Sequence, residues 1–346
     1  MNINDSNTIN NDKEVNNRKS DDIVSIASSS APSCLLQHAK LPYYLANAFQ
    51  ELYQEDGLVV LGRGLGLLHL LASFCRFYVD VEEGHVALLL EEIENEIQTL
   101  NDVLQLNNKR TTIVPRKEIV LNQIETMNQI KTKVTSRRPL VFVIGLKDYE
   151  RSCLISILEM WGTPTDLLPV EITNENGSEN DRAELYSRGG IYLITSRIFI
   201  VDLLKRIASP KDIDGILVAH AENVSEQSTE AFILRIYRTQ KRFGDFGTNS
   251  LSLIEDIESP IIQSYQNGFI KAFSDSPDTL MSGFAKCDKI LKALFVKRLY
   301  IYPRFHELVA EELDKTPPIV EELHQTLTQR MMECQAAIAA AVKVSS

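Results

Sequence analysis

The stretch DGLVVLGRGLGLLHLL (56–71) combines a short apolar run, a glycine-rich turn and a second, longer apolar run. This pattern is typical of a buried strand that turns tightly into a helix, and phosphate-binding loops are built in the same way. The stretch therefore predicts a strand–loop–helix unit of the kind found in nucleotide-binding α/β proteins. Whether the loop can still hold a phosphate depends on its side chains.

The loop lacks the two side chains that phosphate-binding loops use beyond their backbone amides. The pattern GxxxxGK[ST] needs a lysine for the outer phosphates and a hydroxyl for Mg²⁺. Counted from Gly62, its last three positions fall on Leu67, Leu68 and His69. The dinucleotide pattern GxGxxG fails as well, because Leu67 stands where its third glycine would be.

A second requirement of ATP hydrolysis is also unmet. A helicase-type ATPase places two acidic residues directly after a later strand, where they help to hold the metal. The candidate strand GILV (215–218) is followed by Ala219 and His220 instead. Glu222 lies nearby, but a single glutamate after a strand is usually solvated. These two independent losses argue against an active ATPase.

The rest of the chain alternates apolar strands with apolar helices. Strands are predicted at 57–62, 138–146, 189–196, 213–220 and 268–275. Each is apolar on both faces, which indicates a parallel sheet covered by helices on both sides. After residue 278 the pattern becomes wholly helical. Residues 1–33 carry almost no large apolar side chains and are predicted to be a disordered tail.

Two segments interrupt the alternation. In 80–137, apolar residues recur in steps of four and three from Val86 to Leu104, as in a coiled coil. This favours a helical hairpin packed on itself or on the domain, and an arm that binds a partner or a second copy is the alternative. The segment 244–267 is predicted to be an acidic surface loop.

Bulk composition narrows the class of function. The 346 residues carry a formal net charge of −11, which argues against a basic coat for non-specific nucleic-acid binding but not against a local basic track. The apolar runs are shorter than the roughly 20 residues of a membrane span, so no membrane partner is predicted. The five cysteines and six histidines are scattered, and no metal ligand is assigned.

Six blocks of sequence resemble the N-terminal helicase-like part of the XPF family, the catalytic subunits of structure-specific DNA repair endonucleases. The blocks are DGLVVLGRGLG, YSRGGIYLITSRIFIVDLL, IDGILVAHAENV, EAFILRIYRTQKRFG, GFIKAFSDSP and LFVKRLYIYPRFH. They occur in family order and cover about 40–75 and 138–345. The family resembles superfamily 2 helicases whose ATPase motifs have decayed, which agrees with the losses described above.

The resemblance implies an α/β fold with a degenerate RecA-like, P-loop-type domain over 34–278, interrupted by the inserts 80–137 and 244–267. The start of a helical domain would follow at 279–346. Full-length members continue with a second RecA-like domain, a metal-dependent nuclease domain carrying GDx(n)ERKxxxD, and a tandem helix-hairpin-helix domain. No ERKxxxD is present here. We therefore expect a truncated member with no catalytic residues, and Mg²⁺ only for the nuclease domain that this chain lacks.

DNA binding is the function that could remain. In helicases of this type the loop after the third strand contacts the DNA backbone, and here it contains Thr195, Ser196 and Arg197. Hydroxyls, amides and an arginine at a helix N-terminus suit phosphate, and a plain helix cap is the alternative. Arg63 could bind phosphate or pair with a local acid. A basic run along one helix, with a solvated helix face as the alternative, adds Arg235, Arg238, Lys241 and Arg242.

The segment KRLYIYPRFH (297–306) interleaves basic and aromatic residues. Stacking on bases is one interpretation, and core packing of the tyrosines beside a protein-docking surface is the favoured one. The docking candidates are Lys297, Tyr300, Tyr302 and Arg304. The resemblance implies DNA and a repair scaffold protein as partners. It implies a small excision-repair partner subunit only through the absent C-terminal region.

The sequence therefore favours a non-catalytic helicase-like module that binds branched or single-stranded DNA and repair partners in the nucleus. By family resemblance, its processes would be nucleotide excision repair, recombination and crosslink repair. A coiled-coil interaction protein built around 86–134 is the alternative from a different class. An ATPase or helicase with unusual motifs is a third, disfavoured by the missing lysine and acids.

Overall fold

A seven-stranded sheet organises the computed structural model. The structure describes residues 41–80, 84–107, 114–173, 178–243, 259–283, 285–315, 317 and 321–345, so the predicted tail lies outside it. The strands are β1 (Gly57–Leu61), β2 (Leu140–Ile144), β3 (Val170–Ile172), β4 (Gly190–Ile194), β5 (Gly215–Val218), β6 (Phe269–Ser274) and β7 (Arg298–Tyr302). They lie in the order β3-β4-β2-β5-β6-β1-β7, and every neighbouring pair is parallel.

Helices precede, connect and follow these strands. They are α1 (Tyr43–Gln54), α2 (Leu67–Val79), α3 (His85–Asn107), α4 (Val114–Ser136), α5 (Asp148–Met160), α6 (Glu179–Arg188), α7 (Ser196–Leu204), α8 (Thr229–Phe243), α9 (Pro260–Asn267), α10 (Pro277–Met281), α11 (Lys286–Leu294), α12 (Glu307–Lys315) and α13 (Gln329–Ser345). None of the described helices is both long enough and apolar enough to cross a membrane.

The sheet is buried on both faces. Every residue of β1, β2 and β5 is buried, as their unbroken apolar runs predict. On one face Phe142 of β2 stacks on Phe199 of α7, with ring centroids 4.3 Å apart. On the other, Phe74 of α2 meets Phe273 of β6 at 5.4 Å. The predicted α/β fold class, with a parallel sheet between helices, is confirmed.

The first insert is a helical hairpin, as predicted. Helices α3 and α4 share a buried apolar cluster that contains Ile93 and Met127, and Ile262 of α9 packs into the same cluster. The hairpin is therefore packed on itself and on a neighbouring helix. An additional role as an arm for a partner stays a prediction.

The second insert differs from the predicted loop. Residues 244–258 lie outside the described part, but Pro260–Asn267 forms α9. The Ser259 hydroxyl accepts a hydrogen bond from the Ile261 amide, and proline occupies the first turn, so this helix has a regular start. The acidic loop pattern hid the helix because only one of its faces, around Ile262, is buried.

The wholly helical pattern expected after 278 is wrong for residues 298–302. These residues form β7, which pairs with β1 along its full length at the end of the sheet. An edge strand buries little of its surface, so its basic and aromatic residues did not show the apolar run of a central strand. Chain contacts define one compact unit that extends to Ala310 and a second that contains Glu311–Ser346, including α13.

Candidate nucleic-acid interface at the carboxyl edge of the sheet

Parallel strands place all their following loops at one side of the sheet, which we call the carboxyl edge; the opposite side is the amino edge. Ligands of open α/β sheets bind at the carboxyl edge. The loops after β1, β4, β5, β6 and β7 therefore meet there. They carry Arg63, Thr195–Arg197, His220 and Arg304.

The degenerate loop after β1 is held by packing and hydrogen bonds of its own. Leu65 is 3% exposed, and its carbonyl accepts a hydrogen bond from the Tyr44 hydroxyl at 3.1 Å. The Gly62 amide donates to the Tyr302 carbonyl at 2.8 Å, which ties the loop to β7. Gly66 has a left-handed φ of +86° at the start of α2, a conformation that favours glycine. The buried side chain of Leu65 thus holds the turn in place, which is the role of the bound phosphate in a phosphate-binding loop.

Two guanidinium groups lie at this loop. The Arg63 carbonyl accepts a hydrogen bond from Arg304 Nη2 at 2.8 Å, and both side chains are exposed. No carboxylate of the described residues forms an ion pair with either arginine. The alternative that Arg63 pairs with a local acid is therefore not supported by the described part of the chain.

A buried histidine takes the place of the missing acids after β5. His220 Nε2 lies 2.9 Å from both carboxylate oxygens of Glu150, and its Nδ1 lies 3.2 Å from Glu222. Glu222 also accepts a hydrogen bond from the Ser274 hydroxyl at 2.6 Å. The expectation of a solvated Glu222 is wrong, because its carboxylate is buried by these partners.

These contacts fix the charges of the cluster. Hydrogen bonding to Glu222 and Glu150 outweighs burial and raises the pKa of His220 to about 8, so the ring is protonated at neutral pH. Burial alone would raise the pKa of both glutamates, but their hydrogen bonds hold it below the ordinary value. The cationic ring thus sits among carboxylates where a nucleotide-hydrolysing site would hold its metal.

The same groups could in principle ligate a metal ion. Ligand atoms of His220, Glu222 and Asp275 lie within 4.8 Å of one another. His220 Nδ1 is already hydrogen-bonded to Glu222, and a protonated ring offers no lone pair. The absence of a metal site stays a prediction.

The loop after β4 begins α7. Thr195 Oγ1 accepts a hydrogen bond from the Ile198 amide at 3.4 Å, so this residue caps the helix as the alternative interpretation stated. The Ser196 hydroxyl donates to Glu230 at 2.6 Å. Arg197 is exposed, and no described carboxylate pairs with it. Of the three residues, Arg197 is thus the group most available to a phosphate.

Arg197 lines a cavity of about 790 Å³ together with Arg151 and Arg182. Arg151 is held by Glu171 at 2.9 Å. Arg182 forms a two-pronged pair with Asp202, whose carboxylate is fully buried. Arg151 also pairs with the exposed Asp148 at 3.3 Å. Neither Arg151 nor Arg182 was predicted as a site residue, because Glu171 and Asp202, which hold them in the fold, lie about 20 residues away.

The predicted basic run is not part of this edge. Helix α8 starts beside Ser196 and runs toward the amino edge, where Arg238 pairs with Asp56 and donates to the Gly268 carbonyl at 3.1 Å. Lys241 Nζ donates to the Lys211 carbonyl at 3.1 Å. Arg235 is exposed between the two ends, and the side chain of Arg242 lies outside the described part. The structure therefore separates Arg238 and Lys241 from Thr195–Arg197.

The docking candidates spread along β7 from one edge to the other. Lys297 precedes the strand and Arg304 follows it, and both are exposed. Tyr300 is half-buried. Tyr302 is 2% exposed, and its hydroxyl donates to Glu51 at 2.6 Å, so it supports the strand and offers no docking surface.

The chain matches no protein-family model. Among curated proteins it is 36% identical over 199 residues to DNA repair endonuclease XPF of Mus musculus, which covers 58% of this chain and 19% of that protein. It is 27% identical to DNA repair protein rad16 of Schizosaccharomyces pombe and 29% to DNA repair protein RAD1 of Saccharomyces cerevisiae, each over 85% of this chain and over 24% and 22% of those proteins.

Among solved structures, the Hef helicase domain of Pyrococcus furiosus is similar with a TM-score of 0.45 and 13% identity, over 78% of this chain and 39% of that one. The chain spans about a fifth to a quarter of the length of the curated relatives named above. The similarity to the two yeast proteins covers most of this chain. This chain is therefore similar to one part of the DNA repair endonucleases of the XPF family.

Proposed function

We propose that this chain is a non-catalytic, helicase-like module of an XPF-type repair endonuclease that binds DNA at the carboxyl edge. The observation that carries the proposal is the contrast within that edge. The positions that ATP would need are filled by Leu67, Leu68 and a cluster of His220 hydrogen-bonded to glutamates, whereas arginines remain exposed. The exposed arginines at this edge are Arg63, Arg197 and Arg304.

The spacing of these arginines suits a nucleic-acid strand. From β4, which precedes Arg197, to β1, which precedes Arg63, the sheet order spans four strand intervals, or about 19 Å. At roughly 3.4 Å per nucleotide along one strand, about six nucleotides would bridge that distance. The glutamates between them are buried and contact His220. Contacts of this kind read the backbone and not the base sequence.

Binding of labelled single-stranded and branched DNA, followed by fluorescence anisotropy across a salt series, tests the proposal. Arg197→Ala and Arg63→Ala should each weaken binding and reduce the slope of log K against log salt by about 0.7 to 0.9. Arg188→Ala is the matched control, because Arg188 is equally exposed but its guanidinium pairs with Glu184. The control should leave the affinity unchanged.

Absence of DNA binding at low salt would overturn the proposal, as would unchanged DNA affinity in both Arg197→Ala and Arg63→Ala. Phosphate release from ATP in the presence of DNA tests the ATPase alternative, and we expect none. DNA cleavage by this chain alone would contradict the non-catalytic assignment; in longer relatives we assign cleavage and Mg²⁺ to other domains.

The proposal also includes the nucleus as location and a repair scaffold protein as second partner. The support is β7, an edge strand whose outer side has unpaired backbone groups and the half-exposed Ile301. Tyr300→Ala should reduce co-precipitation of the scaffold without changing DNA affinity. The coiled-coil alternative is less favoured, because Ile93 and Met127 are fully buried within the hairpin. Light scattering should give a monomer mass.

A further inference from the structure

A second concave site lies at the amino edge, at the opposite ends of the strands from the proposed DNA path. Among the described residues, helices α3, α4 and α9 of the inserts, the starts of the central strands and the α11–β7 connection enclose a cavity of about 1090 Å³. Its size suits a small organic ligand. The inserts build one of its walls, so the site depends on segments that the sequence analysis could assign no role.

The charge of this cavity is opposite to that of the protein. Eight lysines and arginines line it against four aspartates and glutamates, in a chain whose net charge is −11. Asp56, Asp214 and Glu55 already pair with Arg238, Arg137 and Arg298. Several lysines of the lining, including Lys133 and Lys241, have no carboxylate partner in the described part of the chain.

Three cations converge on one corner of the cavity. Arg137 pairs with Asp214 at 3.2 Å, and the charges of Lys133 and Arg137 both act on Lys241. Burial, reinforced by these neighbouring cations, lowers the pKa of Lys241 to about 8. Asp214, with Asp212 beside it, only partly offsets this positive charge. An anion bound here would meet the exposed ammonium group of Lys133 and the half-buried ammonium group of Lys241 beside the paired Arg137.

The floor of the cavity contains a hydrogen-bonded lysine and a further polar group. Lys271 is 3% exposed, and its Nζ donates to the carbonyls of Glu55 at 2.8 Å and Tyr53 at 3.1 Å. His85 lines the same cavity, and its buried Nδ1 has no hydrogen-bond partner among the described residues. Burial lowers the pKa of His85 to about 4, so its neutral ring can donate or accept.

We propose that the amino-edge cavity binds a small phosphate monoester that carries an aromatic or apolar portion, chemically of the nucleotide class. A phosphate offers more acceptor oxygens than a carboxylate, which suits the convergence of Lys133, Arg137 and Lys241. The aromatic ring of Tyr265, over which Lys133 lies at 5.9 Å, supplies apolar surface beside the charges. This site is separate from the degenerate loop and uses none of its residues.

Isothermal titration of the full chain with AMP, adenosine and inorganic phosphate tests the site. We expect saturable AMP binding, weaker binding of phosphate and none of adenosine. Lys241→Met and Lys133→Met should each reduce AMP affinity about tenfold, whereas Lys241→Arg should retain it. Lys131→Met is the matched control, because Lys131 lies on the same helix but pairs with Glu94 outside the cavity.

Hydrogen exchange gives a second readout that does not depend on the variants. AMP should protect amides of α4 and α8 and leave the loop at 62–66 unchanged. Displacement of AMP by an oligonucleotide only when it carries a terminal phosphate would identify a DNA end as the source of the phosphate. Absence of AMP and phosphate binding, or affinity that survives Lys133→Met combined with Lys241→Met, would overturn the proposal. Neither result would bear on the arginines proposed to bind DNA.

Discussion

The carboxyl edge and the amino edge of the sheet differ in how their charged side chains are paired. At the carboxyl edge, buried charges are matched to one another: His220 lies between Glu150 and Glu222, and Arg182 is paired with Asp202. At the amino edge, eight lysines and arginines line the cavity against four aspartates and glutamates. The first arrangement surrounds its buried cations with carboxylates, whereas the second has an excess of cations that an anionic ligand could pair with.

This difference shows that a retained loop shape and the capacity to bind a ligand are separate properties of the fold. The carboxyl edge keeps the strand–loop–helix shape of a phosphate-binding site. Its loop is held by the buried side chain of Leu65, and the polar groups of the histidine cluster hydrogen-bond to one another. The amino edge was not marked by a phosphate-binding sequence pattern. Its cavity forms where the helical hairpin packs beside the first residues of the strands. We therefore expect a ligand to bind where charged side chains lack partners of opposite sign, and not wherever a sequence motif is retained.

The largest expected effect tests the matched charges of the carboxyl edge. Asp202→Ala removes a fully buried carboxylate that accepts hydrogen bonds from Arg182 and Tyr186. Arg182 would lose this buried carboxylate, so we expect a loss of about 3 kcal/mol in the free energy of unfolding. Urea denaturation monitored by Trp161 fluorescence measures it. Glu184→Ala, which breaks the exposed pair with Arg188, should cost less than about 0.5 kcal/mol. Equal losses in both variants would show that the buried pair is not special.

The next prediction concerns the hairpin that forms one wall of the amino-edge cavity. Ile93→Ala opens a hole in the fully buried contact with Met127 and Ile262, and should lower the free energy of unfolding by about 3 kcal/mol. Leu121→Ala, on an exposed part of α4, is the control and should have little effect. A hairpin that is cleaved by protease while the Trp161 transition stays unchanged would mean that the hairpin folds separately, which would weaken the case for a rigid cavity.

A smaller effect is expected from the charge of His220. Its pKa in the folded protein is raised to about 8, above the ordinary 6.5, so the stabilisation is complete below pH 6.5 and lost as pH rises through 8. We expect stability to fall by about 1.5 kcal/mol between pH 6 and 9 after allowance for solvent screening. His220→Gln should remove this step from a series of urea titrations. A step of the same size in the variant would assign it to other groups.

Sequence patterns were sufficient to predict the central strands of the sheet and insufficient to predict its outermost strands. β1, β2 and β5 are buried on both faces, so their apolar runs identified them, and the missing lysine at position 68 was visible directly. β7 was missed because an edge strand buries little of its surface. The pairing of Glu150 with His220, 70 residues apart, and of Asp56 with Arg238, 182 apart, depends on topology that no local pattern contains. For the same reason, the basic run of α8 was predicted as one surface although the fold separates its members.

The smallest expected effect has the opposite sign and tests the amino edge directly. Lys241→Met removes a desolvated ammonium group and keeps the length of the side chain, so the free energy of unfolding at pH 7 should rise by about 1 kcal/mol. Because burial lowers the pKa of this lysine to about 8, the penalty is complete below pH 8 and is relieved as pH rises toward 10.5. The advantage of the variant should therefore shrink over that interval in paired urea titrations. With AMP present the order should reverse, because the bound phosphate would stabilise only the chain that keeps its cation. A destabilised variant without AMP would show that Lys241 is already matched, and the contrast between the two edges would then be lost.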